Sequence, residues 1–303
     1  MLDVRSKVFR NKYKWPKDEN IKSLYRFSSF DPDTIKYHQA LFEERLLFHN
    51  LPVNFNDPFE CRPVIQWPES RKEEHGLRRD LASLLIFHGH DETRAEAMAR
   101  NASLDSNIKK QIEDTLNHQF QTFRICCFTK RKENLLFWSH YADSHRGYCV
   151  DYSTSSSIIG TAYKVKYGKK FPYLKFPMLD DLRALTVLAK QIAEGQTIDT
   201  SKCNISMNND LIEPVLNKSI DWKYEEEYRS ILKPDAIAQL SNNGECLILE
   251  GHEIRNVYFG CNMSKDNRDL LIESIKRGPF TPDLWQAQMR RGMFSLDFKK
   301  ISI

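Results

Sequence analysis

The apolar positions of this chain change period several times, and each change marks an element. Ser23-Leu24-Tyr25-Arg26-Phe27 predicts a first strand. Asp31-Pro32-Asp33 then reads as a helix start, with Asp31 as the cap and Pro32 in the first turn, and the helix runs to about Glu44. Arg45 to His49 is a short strand that runs into Asn54-Phe55-Asn56-Asp57-Pro58-Phe59-Glu60, a dense turn signal. Leu77, Leu81, Leu84 and Leu85 recur at helical spacing, as do Ile108, Ile112 and Leu116. Residues 69–122 therefore read as a helical insertion. Strands are predicted at 123–128, 147–152, 161–167, 223–232, 245–249 and 254–259, and helices at 133–142, 178–195, 208–218 and 264–276. A hairpin closes the chain after Trp285. Strands and helices alternate without a regular β-α-β rhythm, which predicts an α+β fold of mostly antiparallel, mixed sheets flanked by helices. A basic arm at 1–22 precedes a single domain over 23–303.

Composition removes several function classes. The chain has 303 residues and 11 glycines, no two of them closer than seven positions. Neither G-x-G-x-x-G nor G-x-x-x-x-G-K-[ST] can occur, so the glycine-rich loops that bring backbone N–H groups against phosphate are excluded. Lys and Arg exceed Asp and Glu by 45 to 41, a net charge of +4 that permits contact with nucleic acid without requiring it. Seven cysteines without a C-x-x-C fit a reducing cytoplasm better than a disulfide scaffold. No apolar run approaches the length of a membrane span.

Three local patterns could carry chemistry. His88-Gly89-His90-Asp91 sets two imidazoles and a carboxylate at a helix end, although an exposed polar terminus explains it as well. His140, Asp143 and His145 gather at the end of the 133–142 helix, as a site or as a polar turn. Neither set has a full complement of metal ligands, and no metal is expected. The third pattern is Trp222-Lys223-Tyr224-Glu225-Glu226-Glu227-Tyr228-Arg229. On a strand, Glu225, Glu227 and Arg229 share one face, with the carboxylates about 7 Å apart. Such a pair can hold a ribose hydroxyl and stabilise an oxocarbenium-like centre, or form a solvated strand in which Arg229 neutralises Glu227.

These pieces resemble a bacterial family catalogued as domain of unknown function 2971. The resemblance is carried by Leu24-Tyr25-Arg26-Phe27, Asn54 to Glu60, Cys127-Phe128-Thr129, Phe137 to Asp143, His145-Arg146-Gly147 and Trp222 to Arg229. A weaker resemblance, to the ADP-ribosyltransferase superfamily, lies in the layout: a basic residue on the first strand, a middle element and a late strand with E-x-E. It implies an ADP-ribosyltransferase-like fold with NAD as substrate. Arg26, with Tyr25 beside it, would hold the NAD phosphates or the nicotinamide ribose. Glu227 would contact the ribose hydroxyl and stabilise the cation, and Glu225 would orient the acceptor. No S-T-S stands in a strand, only Ser153-Thr154-Ser155 after one, so Asn54, Phe55 and Asn56, or Tyr141, are the alternatives to line the nicotinamide pocket, with Asp57 and His140 as further NAD-binding residues.

The leading expectation is an NAD-dependent ADP-ribosyltransferase, a toxin-like or phage-defence effector with a macromolecular acceptor, nucleic acid among them, and an antitoxin protein as partner. Two alternatives stand beside it: a metal-dependent nuclease or phosphoester hydrolase using Asp57, His140, Asp143 and Glu227, and a non-catalytic regulatory binding module.

Overall fold

A computed structural model describes residues 13–102, 105–176, 209–232 and 244–301. The predicted helix at 178–195 and most of the basic arm lie outside the described residues. The chain divides into two compact units. One comprises Met1–Phe59, Gln121–Lys169 and Lys218–Ile303; the other comprises Glu60–Phe120 and Lys170–Asn217.

The first unit is built on an eight-stranded sheet. Its strands are β1 (Ser23–Ser28), β2 (Arg124–Thr129), β3 (Tyr148–Ser153), β4 (Tyr163–Lys164), β5 (Glu227–Leu232), β6 (Ile254–Phe259), β7 (Asp283–Met289) and β8 (Leu296–Ile301). They lie in the order β8-β7-β6-β3-β1-β2-β5-β4. Neighbours pair antiparallel except β6 and β7, which run parallel. A parallel pair needs a crossover, and helix α3 (Lys265–Arg277) supplies it, capped by the Ser264 hydroxyl on the Asn267 N–H as its sequence predicts. The tail hairpin of β7 and β8 is also as predicted.

Both faces of the sheet are covered, so all six positions of β3 are buried. The larger core gathers Leu24, Cys126, Phe128, Val150, Tyr152, Val257 and Phe259, with Phe42 of helix α1 (Ile35–Phe42) and Leu271 and Ile275 of α3. The opposite core holds Phe27, Cys149, Tyr258, Ala287 and Leu296, with Phe137 and Trp138 of helix α2 (Leu135–His140). The alternation of β1 sends Leu24 and Phe27 into different cores.

In the second unit the helical block predicted at 69–122 forms helices Arg71–Phe87, Glu92–Asn101 and Ser106–Gln121. A short parallel pair, Val64–Gln66 with Tyr173–Lys175, accompanies them. Ser70 and Glu73 form a reciprocal capping box at the first helix. Gly89, at φ +90°, turns the chain between the first two helices, and Asp91 caps the second. The His88–Asp91 cluster is therefore helix punctuation.

Three predicted elements differ. The strand predicted at 161–167 is broken into Tyr163–Lys164 and Lys166–Gly168, which join different sheets. Residues 209–216 form 3₁₀ turns rather than an α-helix, and Pro214 inside them has no N–H for an α-helical bond. The stretch predicted as one strand over 223–232 is split. Ile220–Glu225 is 3₁₀, Glu226 turns left-handed at φ 45°, and only Glu227–Leu232 is strand.

Candidate functional site

The split at Glu226 fixes what the two flanking carboxylates can do. A strand would have separated Glu225 and Glu227 by a full pleat period. Instead the turn brings both side chains, each buried, to one ammonium. Lys218 Nζ lies 2.5 Å from Glu225 Oε2 and 3.4 Å from Glu227 Oε2. Arg229, on the same face of β5 as Glu227, donates from Nε to Glu227 Oε1 at 2.7 Å and from Nη2 to Oε2 at 3.0 Å. The Phe55 ring lies 5.6 Å from the Arg229 guanidinium carbon, and the Trp222 ring 5.0 Å from Lys218 Nζ.

Other motif residues converge here. Tyr141, the C-cap of α2, donates its hydroxyl to Glu225 Oε1 at 2.6 Å and accepts from Asn56 Nδ2 at 3.3 Å. Asn134 caps α2 through the Leu136 N–H and donates Nδ2 to the Tyr224 carbonyl, tying helix to turn. Asp57 is buried and accepts from the Phe59 N–H, an Asx turn that shapes the segment carrying Phe55 and Asn56. Thr129 of β2 donates to the Glu225 carbonyl, and the Tyr167 hydroxyl accepts the Glu227 N–H at 2.8 Å.

The two carboxylates titrate in opposite directions. Burial and the charge of Glu227 push Glu225 up, against the pull of Lys218. Burial would raise Glu227 too, but Arg229 and Lys218 hold it down to about 2. The surroundings thus favour protonation of Glu225 over protonation of Glu227. Burial and the Glu225 charge push the Tyr141 phenol up, so it remains a donor.

A cleft of about 720 Å³ opens beside the pair, lined among others by Lys130, Arg131, Lys164, Lys223, Tyr167 and Tyr224. Lys130 and Arg131 are held by Glu226, and Lys164 by Glu19. Tyr167 joins the cleft to Glu227 through the hydrogen bond just described.

Of the predicted site residues, Glu225, Glu227, Asn56 and Tyr141 come together, and Asp57 supports them. Asn54 is exposed and donates to Asn50 instead. His140 is exposed, and among the described residues its side chain makes a ring contact with Tyr141. Asp143 pairs with Arg146 in an exposed turn, and His145 stacks on Trp138. Among the described residues no group of three or more His, Cys, Asp or Glu is placed to hold a metal ion. Tyr25 pairs with Thr129 and shares its face with Glu227, where Lys132 Nζ lies 5.6 Å from each of the Tyr25, Tyr258 and Phe298 rings. Arg26, one residue on, points to the other side of the sheet with Leu24, away from the carboxylates. The sequence reading missed Lys218. It stands in a three-residue strand with no motif around it, and only the folded chain reveals that it bridges both glutamates.

Residues 137–230 match the family described as a protein of unknown function, DUF2971. That span contains Tyr141, Lys218, Glu225, Glu227 and Arg229. No curated protein and no solved structure matches the chain. Among the described residues no helix is long and apolar enough to cross a membrane.

Proposed function

We propose that this protein is an NAD-dependent ADP-ribosyltransferase whose reacting centre is the Glu225–Glu227 pair. The observation that supports the reading is the shared Lys218 ammonium between two buried carboxylates whose proton affinities are driven apart. Pairs of that kind separate into a proton carrier and a fixed charge. In transfer from NAD, the bond between the nicotinamide nitrogen and ribose C1′ breaks and nicotinamide leaves with the electron pair. Glu227, held ionised, stabilises the positive charge that develops on the ribose. A nucleophile of the acceptor forms the new bond to C1′, and Glu225 takes its proton. The neighbouring cleft, with cations and tyrosines on its walls, suits phosphates and stacked rings of a dinucleotide or a nucleic-acid acceptor. A toxin-like or phage-defence effector with an antitoxin partner is the biological form of this reading.

Incubation with NAD labelled in the adenylate, alongside protein, RNA and DNA fractions, tests it. We expect nicotinamide release and labelled acceptor from the wild type. Both should fall at least a hundredfold in Glu225→Gln, whose melting temperature reports whether it remains folded. No nicotinamide release from the wild type with any fraction removes the proposal.

The burial and full neutralisation of the pair favour a second reading, a non-catalytic binding module in which Lys218, Glu225, Glu227 and Arg229 are a structural network. That reading takes over if the variants lower the melting temperature and wild type and variants consume no NAD.

A further inference from the structure

The other face of the same sheet carries a charge of a different kind. Arg26 sits on β1, with four strands on one side and three on the other. It pairs with Val150 of β3, so Tyr148 and Tyr152, two residues to either side of Val150, share its face. That face is the larger core, with Leu24, Cys126 and Phe128 around the arginine. A guanidinium cannot shed its proton in a protein and offers five N–H donors in a fixed fork. Yet the Arg26 side chain makes no hydrogen bond, ion pair or ring contact among the described residues. The groups that act on it most strongly are Cys126, Tyr152, Tyr148 and Cys127, with no carboxylate among them. His49, which also feels the Arg26 charge, is buried, and its Nε2 lies 3.0 Å from Ser230 Oγ.

A second observation points the same way. Tyr152 is fully buried, and its hydroxyl has no hydrogen-bond partner. A fully buried hydroxyl is normally bonded, and a guanidinium held against an apolar face is normally paired. Both groups are donors without an acceptor among the described residues. Arg26 itself is half-buried rather than sealed, which leaves a small ion a way to it.

We propose that Arg26 and Tyr152 form a binding site for a small oxoanion, a carboxylate or a phosphate, on the core face of the sheet and separate from the Glu225–Glu227 pair. The anion accepts from the guanidinium fork, bidentate in the manner such groups favour, and from the Tyr152 hydroxyl. The resemblance gave Arg26 the phosphates of NAD. The backbone alternation places it on the far face from the carboxylates, so the ligand is assigned as a distinct small anion, and the site does not rest on the transferase reading.

The test is the melting temperature of the full chain at constant pH and ionic strength, with chloride exchanged for inorganic phosphate or for acetate. A ligand that binds only the folded state raises it with a saturable dose dependence. We expect such a rise for the wild type and for Glu225→Gln, no saturable rise for Arg26→Met, and a half-saturation several-fold higher for Tyr152→Phe. A rise with phosphate alone identifies a phosphate site, and one with acetate as well identifies a general carboxylate site. Arg26→Lys keeps the charge without the fork and should bind more weakly by calorimetric titration, which covers the case in which Arg26→Met fails to fold. A saturable rise that survives in Arg26→Met, or none with either anion in the wild type, overturns the proposal. Nicotinamide release plays no part in this readout, so its outcome is independent of the transferase assay.

Discussion

The two faces of the central sheet treat charge in opposite ways. Toward α2, Glu227, Arg229, Glu225 and Lys218 are all buried, and each touches an opposite charge within hydrogen-bond reach. Toward α1 and α3, Arg26 stands among tyrosines and cysteines, with no opposite charge beside it among the described residues. The titrating groups nearby are neutral: burial pushes His38 and His49 down to about 4. A paired interior charge costs much to disturb, because removing one partner strands the other. An unpaired one on an apolar face costs free energy to keep, because part of its hydration is lost with no opposite charge in return. Deletions on the two faces should therefore have opposite signs.

The largest effect is expected from Arg229→Met. It leaves Glu227 buried beside Lys218 alone, in a network where breaking one pair typically costs about 3–5 kcal/mol. Chemical denaturation should show a drop in that range. Arg26→Met, in chloride buffer, should instead raise stability, by about 1 kcal/mol or more, since it removes an unsatisfied charge from an apolar face. If both substitutions destabilise equally, the contrast between the faces is wrong.

Acid should separate the faces as well. His38 and His49 have folded pKa values of about 4 against an ordinary 6.5. They bind protons more readily when unfolded, so stability is full above about pH 6.5 and is lost as pH falls toward 4. Glu227, held at about 2 against 4.5, contributes stability that is present above about pH 4.5 and lost below it. Glu225 is raised and works in the reverse sense: its contribution is full below its ordinary pKa and lost as pH climbs through the folded value. A stability profile should therefore fall in two stages, the first from the Arg26 face and the second from the Glu227 face. His49→Gln should shrink the first stage to the His38 share and leave the second.

How much of this was legible in the sequence follows from the length scale of each feature. Strands β1, β3 and β6 and the capped helix α3 declare themselves through local periodicity and caps, and they fold as read. The pairing of Tyr141 with Glu225 was half visible: both residues sit in motifs, but the motifs are 84 positions apart. The E-x-E geometry misled, because period two assumes a strand and Glu226 adopts a left-handed turn instead. That turn, and not the pleat, lets one lysine reach both carboxylates. Lys218 was invisible, since nothing around a lone lysine says which buried acids it will meet. The resemblance puts Arg26 and Glu227 on one NAD molecule, at the phosphates or nicotinamide ribose and at the ribose hydroxyl. The strand alternation that separates them was present in the same residues, with Leu24 and Arg26 on one side and Tyr25 and Phe27 on the other.

A smaller effect sharpens how the Glu227 face is assembled. The turn after α2 places Asp143, Ser144 and His145 consecutively at φ 46°, 52° and 67°. Their N–H and C=O groups explain why the chain holds it: Ser144 N–H donates to Ser139 O, His145 N–H to Trp138 O, and Asn262 N–H to His145 O. Gly147 then runs so close to β1 that a Cβ would lie 2.1 Å from the Ser28 carbonyl, which pins the start of β3 against its neighbour. Left-handed backbone costs a residue with a side chain about 1–2 kcal/mol. Ser144→Gly should recover up to about 1 kcal/mol of that at an exposed position, less the extra entropy of a glycine in the unfolded chain.

Asn56 gives the finest probe of the pair itself. Its Nδ2 reaches the Tyr141 hydroxyl at 3.3 Å from an exposed turn, whereas Tyr141 reaches Glu225 at 2.6 Å. A long bond at the surface contributes little, so Asn56→Ala should shift stability by no more than about 0.5 kcal/mol. Tyr141→Phe should cost about 1.5–3 kcal/mol, because it removes a hydrogen bond to a charged group. In the double variant the Asn56 term should vanish, since its acceptor is already gone. A coupling near zero between the two positions, measured by a double-mutant cycle, would show that Asn56 does not act through Tyr141 and that the turn is held by Asp57 alone.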